Sequence, residues 1–151
     1  MYGEYDNFHS EHSHVIPATI RRYHEATLSN ASEVVMWGSG GPIRDFVYAG
    51  DVAATIPFFI DEFDAVGPIN ISTGTGITIR EMATLIADFT GYTGATRWDL
   101  SKPDGQATKI FAVDQLHKLG LKCATPLIEG LRRTIQWFQA NYQDRTDGLR
   151  V

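Results

Sequence analysis

The chain of 151 residues contains a single cysteine, Cys123. One thiol excludes an internal disulfide and any cysteine-rich zinc centre, and it fits a reducing compartment. No apolar run approaches the roughly 20 residues that a helical membrane span requires. Residues 1–13 are polar and lack the apolar stretch of a secretory leader. Positive charge is short as well: 13 Lys and Arg stand against 18 Asp and Glu, a net charge of -5. That balance argues against a general nucleic-acid surface, so an anionic ligand has to be held by a local basic cluster. These shortages point to a cytoplasmic protein with no membrane and no nucleic-acid partner. No internal repeat or low-complexity tract is present.

What remains is ordinary globular material. The length and a hydrophobic content of 43% suffice for one domain with its own core. The stretch Val34–Tyr48 organises the rest. It has an apolar run, the glycine-rich bend Gly38-Ser39-Gly40-Gly41-Pro42, and a second alternating run. Gly and Pro fall where the period-2 pattern stops, which predicts two short strands joined as a hairpin. Trp37 and Arg44 stand at the two ends of the bend. A flat aromatic beside a forked cation suits a ligand with a planar ring and phosphates. The same spacing also fits a hairpin with Trp37 in the core and Arg44 solvated.

Residues 1–13 read as a loop. His9, His12 and His14 lie close in sequence, but neither their spacing nor a nearby acid matches a metal-ligand pattern, so no metal is expected. Ser13 is positioned to cap a helix over 14–28, with Pro17 in its first turn, where a missing N–H costs little. Arg21 and Arg22 point about 100° apart on that helix and cannot both face one core; either fits a solvated face. Asp51 is expected to cap a second helix over 52–63, with Val52, Ile56, Phe59, Ile60 and Phe63 as its stripe. Pro57 inside it predicts a kink or a late start. A strand is expected over 69–72. Thr78-Ile79-Arg80-Glu81 is a capping-box pattern opening a helix that Gly91 ends. A strand at 96–98, a turn at 101–105, a short helix over 114–119 and a last helix from Thr125-Pro126 follow. Residues 143–151 read as a frayed tail. Helices alternating with few short strands make an α/β pattern with too few strands for a doubly wound sheet.

Several motifs occur together: Tyr2-Gly3, Asp6-Asn7-Phe8, Ser13-His14-Val15-Ile16-Pro17-Ala18, Trp37-Gly38-Ser39-Gly40, Arg44-Asp45-Phe46-Val47-Tyr48, Asp51, Ile69-Asn70, Ile79-Arg80-Glu81 and Ser101-Lys102-Pro103-Asp104-Gly105. In this combination they resemble the GDP-L-fucose synthases, NADP-dependent epimerase/reductases of the extended short-chain dehydrogenase/reductase superfamily. The resemblance covers about Tyr2 to Phe138 and corresponds to the C-terminal half of those enzymes. It implies an α/β fold that is an incomplete C-terminal portion of the extended short-chain dehydrogenase, with few short strands and about five helices. Residues 1–142 are then the substrate-binding-type domain.

The resemblance also implies roles. His14 matches the histidine near the nicotinamide and sugar, a partial acid/base and cofactor contact. Arg22 matches a cation at the nucleotide-sugar site, Trp37 the aromatic near the sugar nucleotide, and Arg44 the arginine on its diphosphate. Lys102 and Asp104 match a loop that closes over the ligand. The chain departs from the family in four ways. It has no G-x-x-G-x-x-G fingerprint, no tyrosine with a lysine four places on, and no match to the family's catalytic serine, and Glu4 replaces the usual proline after Tyr-Gly.

These departures lead to the expectation that the 151 residues bind a GDP-sugar but do not turn it over alone, and bind no NADP tightly. The helices over 52–63 and 79–90 are expected to lack a partner surface, which favours self-association or pairing with the family's other half. An oligomeric non-enzymatic module, or a subunit completed in trans, remains the alternative.

Overall fold

The computed structural model describes residues 1–9 and 12–142; the expected tail over 143–151 lies outside the described residues. Helix α1, Val15–Leu28, turns Ile16, Ile20 and Tyr23 into the core at one-turn spacing. Its cap falls one residue later than expected. His14, not Ser13, holds the extended N-cap conformation and makes no side-chain cap bond, while the Ser13 hydroxyl is buried without a partner. With His14 as cap, Pro17 occupies the third helical position. The N–H that a capping side chain would satisfy there does not exist. Both Arg21 and Arg22 turn inward, in different directions. Arg21 bonds the Phe8 carbonyl (3.1 Å) and Glu25, and Arg22 bonds the Val35 carbonyl (2.9 Å).

The predicted hairpin does not form. Strand β1, Glu33–Trp37, pairs in parallel with β4, Ala95–Asp99. Strand β2, Ile43–Arg44, joins a different sheet, antiparallel to β3, Ile77–Thr78, and parallel to β5, Thr108–Lys109. The bend between β1 and β2 faces a helix instead of closing a ladder. The Gly40 carbonyl accepts from Arg80 N (2.8 Å) and that of Pro42 from Ile79 N (3.0 Å). Backbone groups spent on a helix start are not available to pair two strands.

That helix is α3, Ile79–Thr90. Thr78 and Glu81 form the predicted capping box, and Gly91 ends it in the left-handed conformation (φ 73°). Met82, Ala83 and Ile86 are buried, and α3 packs on α1 and on α5, Leu127–Asn141. The expectation that α3 lacks a partner surface is therefore corrected. Leu131, Ile135 and Phe138 of α5 close the core. Residues 1–9 contain no helix or strand apart from one bridge, Tyr2 to Tyr48, yet Tyr2 and Phe8 are among the most buried side chains. This segment is part of the core.

Helix α2, Ala49–Asp61, starts earlier than expected and contains Pro57. Its N-cap is Tyr48. Asp51 does not cap it; the Asp51 carboxylate instead accepts from Thr125 N (2.8 Å) and Oγ1 (2.6 Å), tying α2 to the segment before α5. Only Thr55 of α2 is buried. The strand expected over 69–72 is irregular chain, held to the segment before α4 by the Asn70 side-chain amide, which donates to the Ala112 carbonyl (3.1 Å). The short helix α4, Asp114–Lys118, forms as expected. Among the described residues no helix is long and apolar enough to cross a membrane.

Candidate nucleotide-sugar site

The N-terminal segment, the start of α1, the end of β1 and the paired strands β2 and β5 enclose a cleft of about 730 Å³. Four of the six residues singled out from sequence meet in its lining: His14, Trp37, Arg44 and Asp104. Each is placed by local structure. His14 is exposed at the α1 cap, and its imidazole makes no hydrogen bond to any described residue. Trp37 ends β1 and is 66% exposed. Arg44 ends β2, half-buried, with Nη1 on its neighbour's carbonyl at Ile43 (2.8 Å).

Lys102 stands beside the cleft, its ammonium 5.5 Å from the centre of the Trp37 ring. A planar ligand stacked on that face of Trp37 would have to displace Lys102. Arg22 is not brought to this group. Its guanidinium reaches the Val35 carbonyl and the Met36 sulfur, and so it holds α1 against β1.

Asp104 is a latch. Its two carboxylate oxygens accept from Ser39 N (2.6 Å) and Ser39 Oγ (2.7 Å), joining the 101–105 turn to the glycine bend. These bonds hold the Asp104 carboxyl below the usual carboxylate range. The latch also answers whether the bend could cradle a dinucleotide. Gly38 and Gly40 both have positive φ, but the space a Cβ would take is filled, at Gly38 by the Asp104 carboxylate and at Gly40 by the Trp98 ring. The element after the bend is a strand, not a helix. These residues do not fit a nicotinamide-dinucleotide platform, which needs open glycine backbone leading into a helix N-terminus.

The sequence reading missed three cleft residues. Asp45, next to Arg44, accepts from Thr73 N and Oγ1, from Gly74 N and from Phe111 N (2.6–3.4 Å), and so fixes the loops beside β2. Four donors on one carboxylate leave it a scaffold, not a ligand contact. Glu4 accepts from the Tyr48 hydroxyl (2.6 Å) and lines the cleft with Asp6. Burial and Glu4 together push the Tyr48 hydroxyl up. Lys109, on β5, is the third. The periodicity of a two-residue strand is too short to reveal which way Lys109 faces. Among the described residues no three His, Cys, Asp or Glu are placed to hold a metal ion; His9 and His12 stack ring on ring at 4.9 Å.

The model of the NAD dependent epimerase/dehydratase family matches residues 1–72. The chain is 45% identical to GDP-L-fucose synthase of Escherichia coli, over 98% of this chain and 49% of that one. It is 43% identical to probable GDP-L-fucose synthase 1 of Oryza sativa, over 93% of this chain and 43% of that one. A crystal structure of a GDP-L-fucose synthetase from Naegleria fowleri superposes with a TM-score of 0.89 at 29% identity, over 97% of this chain and 45% of that one. A second crystal structure of the same enzyme is bound to NADP. The chain thus spans just under half the length of these relatives. By sequence and by fold the chain is similar to just under half of a GDP-L-fucose synthase, and its first 72 residues match the epimerase/dehydratase family.

Proposed function

We propose that these residues are the GDP-sugar-binding portion of a GDP-L-fucose synthase-like epimerase/reductase. The observation that carries this is the meeting of His14, Trp37 and Arg44 in one cleft of about 730 Å³, large enough for a nucleotide sugar. Arg44 offers forked donors to phosphate oxygens, and Trp37 an exposed aromatic edge for the ring or ribose. His14, at the end of the cleft formed by the N-terminal segment, can exchange a proton with a bound keto-sugar. Lys102 and Asp104 act on the bend that carries Trp37: Asp104 fixes it, and Lys102 covers the ring.

Reduction needs a hydride donor, and in this reading NADP is held by polypeptide outside these 151 residues. That portion also supplies the tyrosine and lysine pair. It packs on α2, whose apolar stripe is otherwise in water (Ile60 is 75% exposed). These residues alone therefore bind but do not turn over.

Calorimetric titration with GDP checks the reading. Arg44→Ala should weaken GDP binding about tenfold or more, the loss of a charge-assisted bond. Equal affinity in the two proteins removes Arg44 from the site. NADPH oxidation with a GDP-keto-sugar, in the absence of any other protein, refutes the claim of incompleteness.

A further inference from the structure

Four carboxylates line the cleft: Glu4, Asp6, Asp45 and Asp104. Three of them are committed to the protein. Both oxygens of Asp45 accept from Thr73, Gly74 and Phe111, and both of Asp104 accept from Ser39. Asp6 spends Oδ1 on the Asn7 amide (2.7 Å), and its Oδ2 is buried out of a ligand's reach. Glu4 differs. Its Oε2 accepts from the Tyr48 hydroxyl (2.6 Å), while its Oε1 bonds no described residue and is not enclosed. No ion pair among the described residues includes Glu4. A carboxylate has room for about four donors, so Glu4 keeps most of its capacity.

The carboxylate is also held still. Residues 4 and 5 form a tight turn in which Tyr5 has the left-handed conformation (φ 64°), which a tyrosine adopts only where its surroundings impose it. They do so here on both sides. Tyr2 bonds backbone to backbone with Val47 and Ala49, and the Tyr5 ring rests on Trp137 (4.8 Å between centres). The Tyr48 hydroxyl, pushed up by burial and by Glu4, keeps its proton and stays the donor. An acceptor fixed in advance loses little freedom on binding.

We propose that Glu4 is a specificity-determining residue of this cleft, whose free oxygen accepts hydroxyl donors from the hexose of a nucleotide sugar. The inference rests on the reading of the cleft as a nucleotide-sugar site. Phosphoryl oxygens are acceptors and are repelled by a carboxylate, so Glu4 does not serve the diphosphate that Arg44 holds. A neutral, hydroxyl-rich sugar supplies the donors that Glu4 lacks. The two residues orient the ligand, phosphates toward Arg44 and hydroxyls toward Glu4, and Glu4 favours the nucleotide sugar over the bare nucleoside diphosphate.

The test titrates GDP and GDP-mannose, a GDP-hexose, into the 151-residue chain and into Glu4→Gln and Glu4→Ala. Glutamine keeps the size of the side chain and an oxygen for Tyr48 but not the charge; alanine removes the acceptor. Wild type should bind GDP-mannose more tightly than GDP. In Glu4→Ala the affinity for GDP-mannose should fall about tenfold or more, and in Glu4→Gln by a smaller factor, while GDP changes by less than about threefold in both. A residue that only tied the N-terminal segment to Tyr48 would weaken both ligands by one factor, and that result overturns the proposal. So does wild-type chain that binds GDP-mannose no more tightly than GDP, or an advantage over GDP that survives in both variants. Each of these leaves the reading of Arg44 and GDP intact. A wild-type chain that binds neither ligand overturns both.

Discussion

Helices α2 and α3 have similar length and apolar content, and their side chains end in opposite environments. The stripe of α3 is covered by α1 and α5, with Met82 and Ile86 fully buried. The stripe of α2 is not. Ile56 is 44% and Ile60 75% exposed, and no residue of α2 joins the core cluster. Phe58, Phe59 and Phe63 pack on one another instead, ring centres 5.3–6.5 Å apart. An apolar stripe states what a helix would bury; whether it does so depends on what else is folded beside it.

The sharpest way to break this comparison is to truncate one side chain from each helix. Ile86→Ala leaves a cavity between three helices and should cost about 2–5 kcal/mol. Ile60→Ala removes only solvated atoms and should stay within about 0.5 kcal/mol. Urea unfolding of both variants, read as midpoints at constant slope, gives the contrast directly. Equal losses would mean that α2 is covered in solution.

The next effect lies at the helix starts. Thr78 caps α3 with a reciprocal bond from Glu81, whereas α2 has Tyr48 at its cap and no side-chain bond there. Thr78→Ala should cost about 1 kcal/mol. Its pH dependence has a definite sign. Hydrogen bonds from Thr78 hold the Glu81 carboxyl below its ordinary value. A depressed carboxyl stabilises the fold above its unfolded pKa, and that contribution fades as pH falls through the folded value. The stability gap between wild type and Thr78→Ala should therefore be full at neutral pH and narrow below about pH 4. A gap that does not change with pH would separate the cap from the Glu81 charge.

The same contrast explains what the sequence disclosed. The α3 box was legible because its capping partners lie three residues apart and bond each other. The spans of α1, α3 and α4 and the strand expected at 96–98, which the fold extends to 95–99, were legible for the same local reason. The hairpin was misread because both strands take partners far along the chain, β1 from 95–99 and β2 from 77–78 and 108–109. Local periodicity does not encode such pairings. Asp51 offered a cap by spacing, but the Thr125 donors it took are 74 residues away. In the site, His14, Trp37, Arg44 and Asp104 came from motif resemblance and converge on one cleft. Arg22, matched singly and not as part of the motif that holds His14, faces β1 instead, because the two lie about two helical turns apart. Lys109 became visible only through the register that sets it beside Arg44.

The smallest expected effect on stability concerns the exposed helix itself. Replacing Ile56 and Ile60 together by Ser removes an apolar patch without opening any cavity, so the unfolding midpoint should barely move. Association should move instead. A stripe that meets water in the 151-residue chain lowers its free energy by pairing, either with the dinucleotide-binding portion of the proposed enzyme or, in that portion's absence, with a second copy. Sedimentation at tens of micromolar should show wild-type chain heavier than a monomer and the double variant close to one. A wild-type monomer under those conditions would mean that contact among Phe58, Phe59 and Phe63 already satisfies the helix, and the difference between α2 and α3 would then be one of packing density alone.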